Sequence, residues 1–403
     1  MKKILVISML YPSAENPHFG VFIKREVDSL AEHYSRKVII PLPWRPAHGI
    51  RSLFNSRKQT ANPDTGIEEI YKSYFPLPGR FFQPVKGIWF FLFLAGLIKK
   101  ILKEYDFDLI HAHNAFPEGF CAILLKHFFK KPVIISCRGN DLHKLPDNCL
   151  MRPMIKHALC KADSVITVSK SLSRKAVDLG ADPDKISVMP KGVDAGVFKP
   201  ISKTKARQKL DLPQDKIVVL SVGWLIPRKN PFSFTEVLKR YPESERRRFL
   251  FVWVGEGPLQ ADMEKEIHKN SLQDNIRLVG RKNPEEVAMW MNAADIFVLV
   301  SFSEGMPNVL YEAMACGIPV IASNVDGAAE IIQNGENGML VSPDDYAMIA
   351  KKIKELANDC ELSDIVGNNG RKFMENAGLD WEKNAVWLMH KYQAVIQQRG
   401  LTG

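Results

Sequence analysis

The most constraining feature of this 403-residue chain is the alternation of short apolar runs with stretches that favour helices. Runs of three to seven largely apolar residues, each followed by a helical stretch, are typical of parallel strands covered on both faces. In the second half the runs are residues 218–222, 250–254, 276–279, 296–301, 319–322 and 339–341. In the first half they are residues 3–9, 38–43, 108–113, 133–137, 164–169 and 188–193. The sequence therefore predicts an α/β protein with two parallel sheets.

Composition argues against several other classes of protein. The six cysteines include no Cys-x-x-Cys pair, which indicates reduced thiols in a cytosolic protein, not a disulfide framework or a zinc site. The apolar run at 4–10 is interpreted as a first buried strand, because no small-residue cleavage site follows it. No helix-turn-helix, RNA-binding signature or zinc finger is visible, so nucleic acid is not the expected partner. Residues 44–80 are predicted to form a long irregular insertion.

The net charge of +10 is unevenly distributed. Residues 1–195 hold 29 Lys and Arg against 18 Asp and Glu, a balance of +11, whereas residues 196–403 hold 26 against 27, a balance of −1. This asymmetry favours an anionic partner for the first half, such as membrane phospholipid or a substrate that carries pyrophosphate. The alternative is that the charges are scattered for solubility.

The segment from Ser303 to Glu312 reads Ser-Glu-Gly-Met-Pro-Asn-Val-Leu-Tyr-Glu and follows a predicted strand. Pro307 suits the first position of a helix, which places Glu304 in a loop and Glu312 about one turn into the helix. The free N–H groups of a helix start can hold an anion, as in a sugar joined to a phosphate. The alternative is an ordinary strand–turn–helix with solvated carboxylates.

Other polar residues follow strands whose carboxyl ends are expected to border a site. Gly223, Arg228 and Lys229 come after the strand at 218–222, where an Arg-Lys pair can clamp a diphosphate. His113 ends the strand at 108–113 and shares a face with His111. A structural histidine is the alternative for each of these two rings.

The segment 81–102 contains eleven consecutive apolar residues, 88–98, which are too few to span a bilayer. A buried helix before the strand at 108–113 is one interpretation. The other is that the aromatic end of the segment lies at the lipid interface, aided by the nearby lysines 86, 99, 100 and 103.

Taken in order along nearly the whole chain, these motifs resemble the retaining glycosyltransferases of family 4, which have the GT-B fold. The matching segments are 11–24, 108–113, 138–141, 166–169, 191–198, 303–312 and 327–330. The resemblance implies two Rossmann-like, doubly wound parallel-sheet domains that face a central crevice. Residues 1–195 would bind the acceptor, 196–380 would bind a nucleotide-sugar donor, and a C-terminal helix within 381–403 would cross back to the first domain.

The resemblance also implies roles for single residues. Arg228 and Lys229 would take the diphosphate, Glu312 the ribose hydroxyls and Glu304 the hydroxyls of the transferred sugar. His113 would contact that sugar, and His113, Glu304, Arg228 and Lys229 would form the catalytic set. Further donor contacts would come from Gly20, Gly223, Gly305, Met306, Pro307 and Asn308. No metal or cofactor would be needed, and UDP is favoured over GDP as the donor nucleotide.

Three residues depart from the family pattern. Trp224 stands where arginine is frequent, Arg138 where histidine is common and Lys191 where asparagine is common. The last two add positive charge, which suits a lipid-linked pyrophosphate acceptor, with Arg138, Asp141 and His143 as candidate acceptor-side residues. The opening loop most resembles bacterial enzymes of surface-polysaccharide assembly, including teichuronic-acid-type transferases.

The expected function is therefore transfer of a hexosyl or N-acetylhexosaminyl group to a lipid-linked or growing cell-surface glycan. The expected location is the cytoplasm, at the inner face of the cell membrane, with peripheral contact to anionic lipid. A nucleotide-sugar epimerase of the same fold is one alternative, and a non-catalytic partner in a glycan complex is another.

Overall fold

The computed structural model describes residues 1–16, 19–30, 33–45, 53, 56–60, 66–76, 83–189, 192–377 and 381–400. The chain divides into two compact units. The first unit is Met1–Pro190 with Trp381–Gly403, and the second unit is Lys191–Asp380. The sequence placed the domain boundary after residue 195, close to the division that the structure makes after Pro190.

The first unit is built on one large sheet. Its strands are β1 (Lys2–Ile7), β2 (Tyr34–Pro43), β3 (Ser56–Thr60), β4 (Glu68–Tyr74), β5 (Leu109–His113), β6 (Val133–Cys137), β7 (Ser164–Thr167) and β8 (Ile186–Val188). Its first helices are α1 (Val21–Asp28), α2 (Lys86–Glu104), α3 (Phe120–Phe129), α4 (Asn140–His143), α5 (Met151–Lys161) and α6 (Lys170–Asp178). The strand order is β3-β4-β2-β1-β5-β6-β7-β8, and neighbouring strands are parallel except for the antiparallel pair β3 and β4.

Two strands of this sheet lie where the sequence predicted irregular structure, so that prediction is wrong for 56–60 and 68–74. β4 was missed because charged residues interrupt its apolar ones, and two of these, Glu69 and Lys72, are themselves buried. Lys24 of α1 forms an ion pair with Glu69, with 3.2 Å between its Nζ and the carboxylate oxygen. The last strand, predicted over 188–193, is β8 and ends at Val188.

The second unit is also built on one sheet. Its strands are β9 (Ile217–Val222), β10 (Phe249–Val254), β11 (Ile276–Leu278), β12 (Ile296–Leu299), β13 (Val320–Ser323) and β14 (Met339–Val341). Its helices are α7 (Lys203–Lys209), α8 (Ser233–Leu238), α9 (Glu243–Arg246), α10 (Gln260–Lys269), α11 (Pro284–Ala293), α12 (Asn308–Ala315), α13 (Asp326–Ala329), α14 (Tyr346–Asn358) and α15 (Cys360–Ala377). The order is β11-β10-β9-β12-β13-β14, with parallel pairing throughout, as the six apolar runs predicted.

The last helix, α16 (Trp381–Gly400), belongs to the first unit, as the family resemblance implied. It buries Ala385, Leu388, Tyr392 and Val395 against the same apolar core as the residues of β1 and β2. Such a stripe, with spacings of three and four residues, places one face of a helix against a core. α16 therefore completes the core of the first unit.

Each sheet has a switch point, a pair of neighbouring strands from which the chain builds outward in opposite directions. In the first unit the switch lies between β1 and β5, and in the second unit it lies between β9 and β12. In open parallel sheets the loops at the carboxyl ends of such a pair diverge and leave space for a ligand. These two places therefore determine where each unit can hold a site.

The aromatic segment forms the helix α2, whose buried residues include Phe90, Leu94 and Ile98. Phe81 and Phe82, which the sequence grouped with it, lie outside the described residues. Across the described part of the chain, no helix is both long enough and apolar enough to cross a bilayer.

Candidate active site

A carboxylate and two cations meet at the switch point of the second unit. Glu304 follows β12, and its side chain is only 6% exposed. Its Oε1 accepts a hydrogen bond from Lys229 Nζ at 2.6 Å, and its Oε2 accepts one from Arg228 Nη1 at 3.1 Å. Both cations lie in a short turn, Pro227–Lys229, that follows the neighbouring strand β9. The sequence predicted all three as site residues, and the structure brings them into one cluster.

The electrostatics of this cluster favour an ionised carboxylate. Burial alone would raise the pKa of Glu304, but the charges of Lys229 and Arg228 outweigh it and hold that pKa below its usual value. Two cations around one carboxylate leave a net charge of about +1, so the cluster can still attract an anion. Arg228 is 41% exposed, which leaves part of its guanidinium accessible.

Backbone contacts hold the two loops of this cluster together. The carbonyl of Arg228 accepts a hydrogen bond from the N–H of Phe302 at 2.9 Å, and the carbonyl of Glu304 accepts one from Gly327 at 3.2 Å. A Cβ on Gly327 would lie 2.1 Å from the carbonyl oxygen of Gly305, so a side chain there would collide with backbone. The Lys229 stem passes close to Gly223, since it would lie 3.5 Å from a Cβ at that position.

The helix after this loop starts one residue later than predicted. α12 begins at Asn308, and Pro307 precedes it with an extended backbone, φ −79° and ψ 96°, so Pro307 is not the first helical residue. Glu312 lies in the second turn of α12 and is half-buried. Met306 packs inward and its sulfur accepts a hydrogen bond from Tyr311, with 3.0 Å between sulfur and oxygen. Among the described residues, the amide oxygen of Asn308 is buried without a partner.

A second charged cluster lies near the switch point of the first unit. His113 ends β5 and is completely buried, and its Nδ1 lies 2.6 Å from Arg138 Nη2. The same Nη2 lies 2.9 and 2.8 Å from the two carboxylate oxygens of Glu26 in α1. The side chains of Arg138 and Glu26 are each only 4% exposed. The expectation that Arg138 adds positive charge for an acceptor is therefore wrong, because Glu26 neutralises it. Lys191 lies outside the described residues.

Glu26 is a residue that the sequence reasoning missed. It lies on α1 between Ile23 and Val27, both of which are buried. A carboxylate on the apolar face of a helix is the signal that could have identified it, since buried carboxylates need a charged or hydrogen-bonding partner.

His111 lies beside His113, with 4.3 Å between the two ring centroids. Its Nδ1 is 2.7 Å from the Tyr392 hydroxyl of α16, and its Nε2 is 2.8 Å from the Ser136 hydroxyl of β6. Burial, then the nearby charge of Arg138, lowers the pKa of His111 to about 3, so this ring is neutral. His111 therefore has the structural role that the sequence left open.

The donor atoms of Glu26, His111 and His113 lie within 4.8 Å of one another, a spacing that could suit a metal ion. The guanidinium of Arg138 instead donates to both Glu26 and His113, and both nitrogens of His111 have protein partners. A cation placed among these groups would be repelled by the guanidinium. These residues do not fit a metal site, and metal independence of the reaction stays a prediction.

The other two acceptor-side candidates, Asp141 and His143, form hydrogen bonds within the first unit. The carboxylate of Asp141 accepts hydrogen bonds from the N–H groups of Arg138 at 3.1 Å, Gly139 at 2.8 Å and Ala115 at 2.9 Å. Asp141 therefore ties the loop after β5 to the loop after β6. His143 contacts Lys175 of α6 through its Nδ1.

Gly20 directly precedes α1 as its N-cap, with φ +69°, and a Cβ there would lie 2.3 Å from the carbonyl of Leu10. Only glycine combines this left-handed backbone with so close an approach. Nearby, Glu118 is fully buried and its Oε1 accepts a hydrogen bond from the N–H of Met9 at 2.9 Å. Glu118 thus joins the loop after β1 to the segment after β5. The sequence reasoning did not single it out.

The structure therefore collects the predicted residues in two groups. Arg228, Lys229 and Glu304 are in contact in the second unit, with Gly223 and Gly305 beside them. His113 and Arg138 are in contact in the first unit.

Comparisons with known proteins agree with this architecture. A family profile described as "Glycosyl transferases group 1" matches residues 202–373, and one described as "Glycosyltransferase Family 4" matches residues 60–197. The solved structure of sucrose-phosphate synthase from Thermosynechococcus elongatus superposes with a TM-score of 0.82 at 22% identity, over 99% of this chain and 100% of that one. This likeness establishes the GT-B fold.

Two curated relatives bear on the family. TuaC of Bacillus subtilis, a glycosyltransferase named for teichuronic acid biosynthesis, is 30% identical over 98% of this chain and 99% of its own length. The UDP-Gal:alpha-D-GlcNAc-diphosphoundecaprenol alpha-1,3-galactosyltransferase of Escherichia coli is 29% identical over 69% of this chain and 73% of its own length. With two sugar-transferase profiles, a GT-B architecture and a full-length relative in agreement, this chain belongs to glycosyltransferase family 4.

Proposed function

We propose that this protein transfers a sugar, with retention of its anomeric configuration, from a nucleoside diphosphate to a lipid-linked or growing surface glycan. The observation that carries the proposal is the cluster of Glu304, Arg228 and Lys229 at the β9–β12 switch point. A net positive cluster with a partly accessible guanidinium suits a diphosphate, and a buried, ionised carboxylate suits sugar hydroxyls.

The charges of the site residues indicate which part of the donor each of them contacts. Arg228 and Lys229 stabilise the negative charge that develops on the leaving diphosphate, which makes a metal ion unnecessary for that task. Glu304 orients the transferred sugar, and Glu312 binds the ribose. The leaving diphosphate takes the acceptor proton on the face that the acceptor attacks, so that no protein base is needed.

The donor and acceptor classes are supported by the relatives. The Escherichia coli relative acts on UDP-Gal and on an N-acetylglucosamine that is linked to a lipid diphosphate, and TuaC is named for a cell-wall polymer. We therefore propose a UDP-sugar donor and a diphosphate-linked lipid or polysaccharide acceptor, handled at the cytoplasmic face of the membrane.

A thermal-shift screen of the full chain tests donor binding. UDP, GDP, UDP-glucose, UDP-galactose and UDP-N-acetylglucosamine are the ligands, and a ligand at 100 times its Kd stabilises the protein by about 2.7 kcal/mol. We expect stabilisation by UDP compounds, and a smaller response in Lys229→Met. A flat response to all nucleotides would favour a non-catalytic partner in a glycan complex.

Product analysis separates transfer from epimerisation. The responding nucleotide sugar is incubated alone and with N-acetylglucosamine-diphosphoundecaprenol, and the products are followed by NMR. We expect UDP release and a new α-linked lipid sugar only when the acceptor is present. Conversion of the nucleotide sugar to an isomer without acceptor would identify an epimerase instead.

Peripheral membrane contact has a candidate surface in the first unit. Ile88 and Leu92 of α2 are 46% and 60% exposed, and Phe128 of α3 is 68% exposed and packs its ring 5.1 Å from that of Phe91. Lys99 is also exposed. It lies on the same face of α2 as Ile88 and Leu92, because Leu92 is four residues after Ile88 and Lys99 is seven residues after Leu92. Large exposed apolar side chains beside lysines fit an anionic lipid surface.

Vesicle sedimentation with the full chain tests this surface. Wild type is expected to bind vesicles that contain anionic phospholipid, less so as salt increases, because charge attraction is screened. The double variant Leu92→Glu/Phe128→Glu should bind several-fold less. Ile365→Glu, at a residue 49% exposed on α15, is the matched control and should bind as wild type does. Vesicle binding that depends neither on salt nor on the double substitution Leu92→Glu/Phe128→Glu would contradict a membrane-binding role for this surface.

A further inference from the structure

The contact between His113 and Arg138 determines where the histidine carries its proton. The Nδ1 of His113 lies 2.6 Å from Arg138 Nη2, which is a hydrogen-bond distance. Arginine nitrogens only donate, so Nδ1 must accept this bond. The second hydrogen of Nη2 is directed to Glu26, whose two carboxylate oxygens lie 2.9 and 2.8 Å away. The geometry thus uses both Nη2 hydrogens and places a lone pair, not a proton, on His113 Nδ1.

The charge state of the ring agrees with this assignment. Burial, then the neighbouring His111 and Arg138, lowers the pKa of His113 well below its usual value, so the ring is neutral near pH 7. A neutral imidazole carries one proton, and with Nδ1 accepting, that proton lies on Nε2. A ring protonated on Nδ1 would instead place two N–H groups against each other.

We propose that the buried Arg138–Glu26 pair fixes His113 as the Nε2–H tautomer, so that His113 donates a hydrogen bond to a substrate oxygen and cannot serve as a proton-accepting base. The inference rests on the proposed function, in which His113 contacts the transferred sugar. Within the described residues, Nε2 of His113 is buried and has no protein partner. The proposal gives this buried N–H, which has no partner among those residues, a sugar hydroxyl as its acceptor.

This arrangement reverses a frequent one. Histidines at active sites commonly donate from Nδ1 to a carboxylate or carbonyl, which leaves Nε2 as the basic atom. Here a cation takes the Nδ1 position, and Glu26 cancels its charge. The groups that face His113 are Glu26 of α1, His111 of β5 and Arg138 after β6, with Tyr392 of α16 behind His111. Arg138 and Glu26 are positioning residues, since they act on substrate only through His113.

Nitrogen-15 NMR of the full chain, labelled at histidine, reads the tautomer directly. The signals of His113 are identified by their loss in His113→Gln. Near pH 7 we expect a non-protonated Nδ1 and a protonated Nε2. A wild-type His113 that is protonated on Nδ1, or on both nitrogens, would overturn the inference whatever the activity of the enzyme.

The double variant Glu26→Met/Arg138→Met removes the pair without leaving one charge buried, which is the costly case. We expect His113 to lose its single tautomer and kcat to fall about tenfold, with little change in the donor KM, because one hydrogen bond to the reacting sugar is lost. Arg138→Lys keeps a donor near Nδ1, so it should retain more of the tautomer and of the turnover than Arg138→Met. Equal loss in Arg138→Lys and Arg138→Met would contradict a role through the donated bond.

A control separates this effect from the loss of another ion pair of the first unit, one that is partly buried, with side chains 20% and 28% exposed. Lys126 pairs with Asp163 at 2.7 Å, beside the first residue of β6, at the opposite edge of the sheet from Arg138. Lys126→Met should leave both the tautomer and the turnover as in wild type, and a change in either would count against the inference. An Nε2–H signal in wild type together with unchanged turnover in His113→Gln would leave the tautomer intact and overturn the contact with the sugar.

Discussion

Each unit buries a carboxylate near its switch point, but the two carboxylates differ in how many cations surround them. In the first unit Glu26 and Arg138 are both 4% exposed, form a neutral pair and orient a neutral histidine. In the second unit Glu304 is equally buried but faces two cations, one of which, Arg228, is 41% exposed. A neutral, sealed pair can orient a neighbour but attracts nothing, whereas an open cluster with a net charge of about +1 can bind an anion. The comparison assigns orientation to the first cluster and anion binding to the second.

Glu304→Gln tests the second cluster and has the largest expected effect. Loss of the carboxylate should lower kcat by on the order of 10²-fold, because the sugar is no longer oriented. The donor KM should not rise, since Lys229 and Arg228 keep their charges. Steady-state kinetics with the nucleotide sugar found in the thermal screen measures both parameters. Glu236→Gln, which alters an exposed pair with Lys239 in the same unit, is the control. Unchanged kcat in Glu304→Gln would remove Glu304 from the site.

Glu118→Gln tests whether burial in the first unit raises the pKa of Glu118. Burial raises the pKa of Glu118 from the usual 4.5 to about 7, although hydrogen bonds from Met9 and Asn114 partly oppose it. Because the folded pKa is raised, the folded state holds the proton more tightly, and this contribution to stability is lost as pH rises from about 4.5 through 7. The shift corresponds to about 3 kcal/mol.

Urea unfolding at pH 5 and pH 8.5 measures this difference. At pH 8.5 Glu118→Gln should be more stable than wild type by up to about 3 kcal/mol, since an amide needs no proton to stay neutral. At pH 5 the two should differ much less. Glu361→Gln, at an exposed carboxylate on α15, serves as the control. The same difference at both pH values would show that Glu118 does not titrate in this range.

Tyr392→Phe has the smallest expected effect and tests the hydrogen bond between Tyr392 and His111, next to His113 in the first unit. The hydroxyl of Tyr392 lies 2.7 Å from His111 Nδ1, and the change leaves that buried nitrogen without this partner. The free energy of unfolding should fall by roughly 1–2 kcal/mol in urea titrations. Tyr346→Phe on α14 of the second unit is the control. An unaltered stability would mean that His111 is held by Ser136 alone.

The extent to which sequence predicted the fold depended on how each strand is buried. β9, β10 and β12 are covered on both faces, so they read as nearly continuous apolar runs and were found. β4 carries buried charges at Glu69 and Lys72, and a run interrupted by charged residues in this way does not distinguish a strand from a polar loop.

The candidate site was predicted in its members but not in its contacts. Motif spacing singled out Glu304, Arg228 and Lys229, yet their ion pairs join residues 75 and 76 positions apart, which no local pattern encodes. The Arg138–Glu26 pair spans 112 positions and neutralises the positive charge that Arg138 was expected to add. Charge along the chain therefore indicated where cations lie, and only the fold shows which of them are already neutralised.

The return of α16 to the first unit has a consequence for biosynthesis. The ribosome completes all of residues 191–380 before it makes the helix that covers Tyr34 and Val38 and contacts His111. While the second unit is synthesised and folds as a domain, the apolar surface of the first unit that α16 later covers stays exposed to solvent. A nascent chain halted before α16 is therefore expected to recruit chaperones through its N-terminal part, and ribosome profiling with bound chaperone would locate that interval.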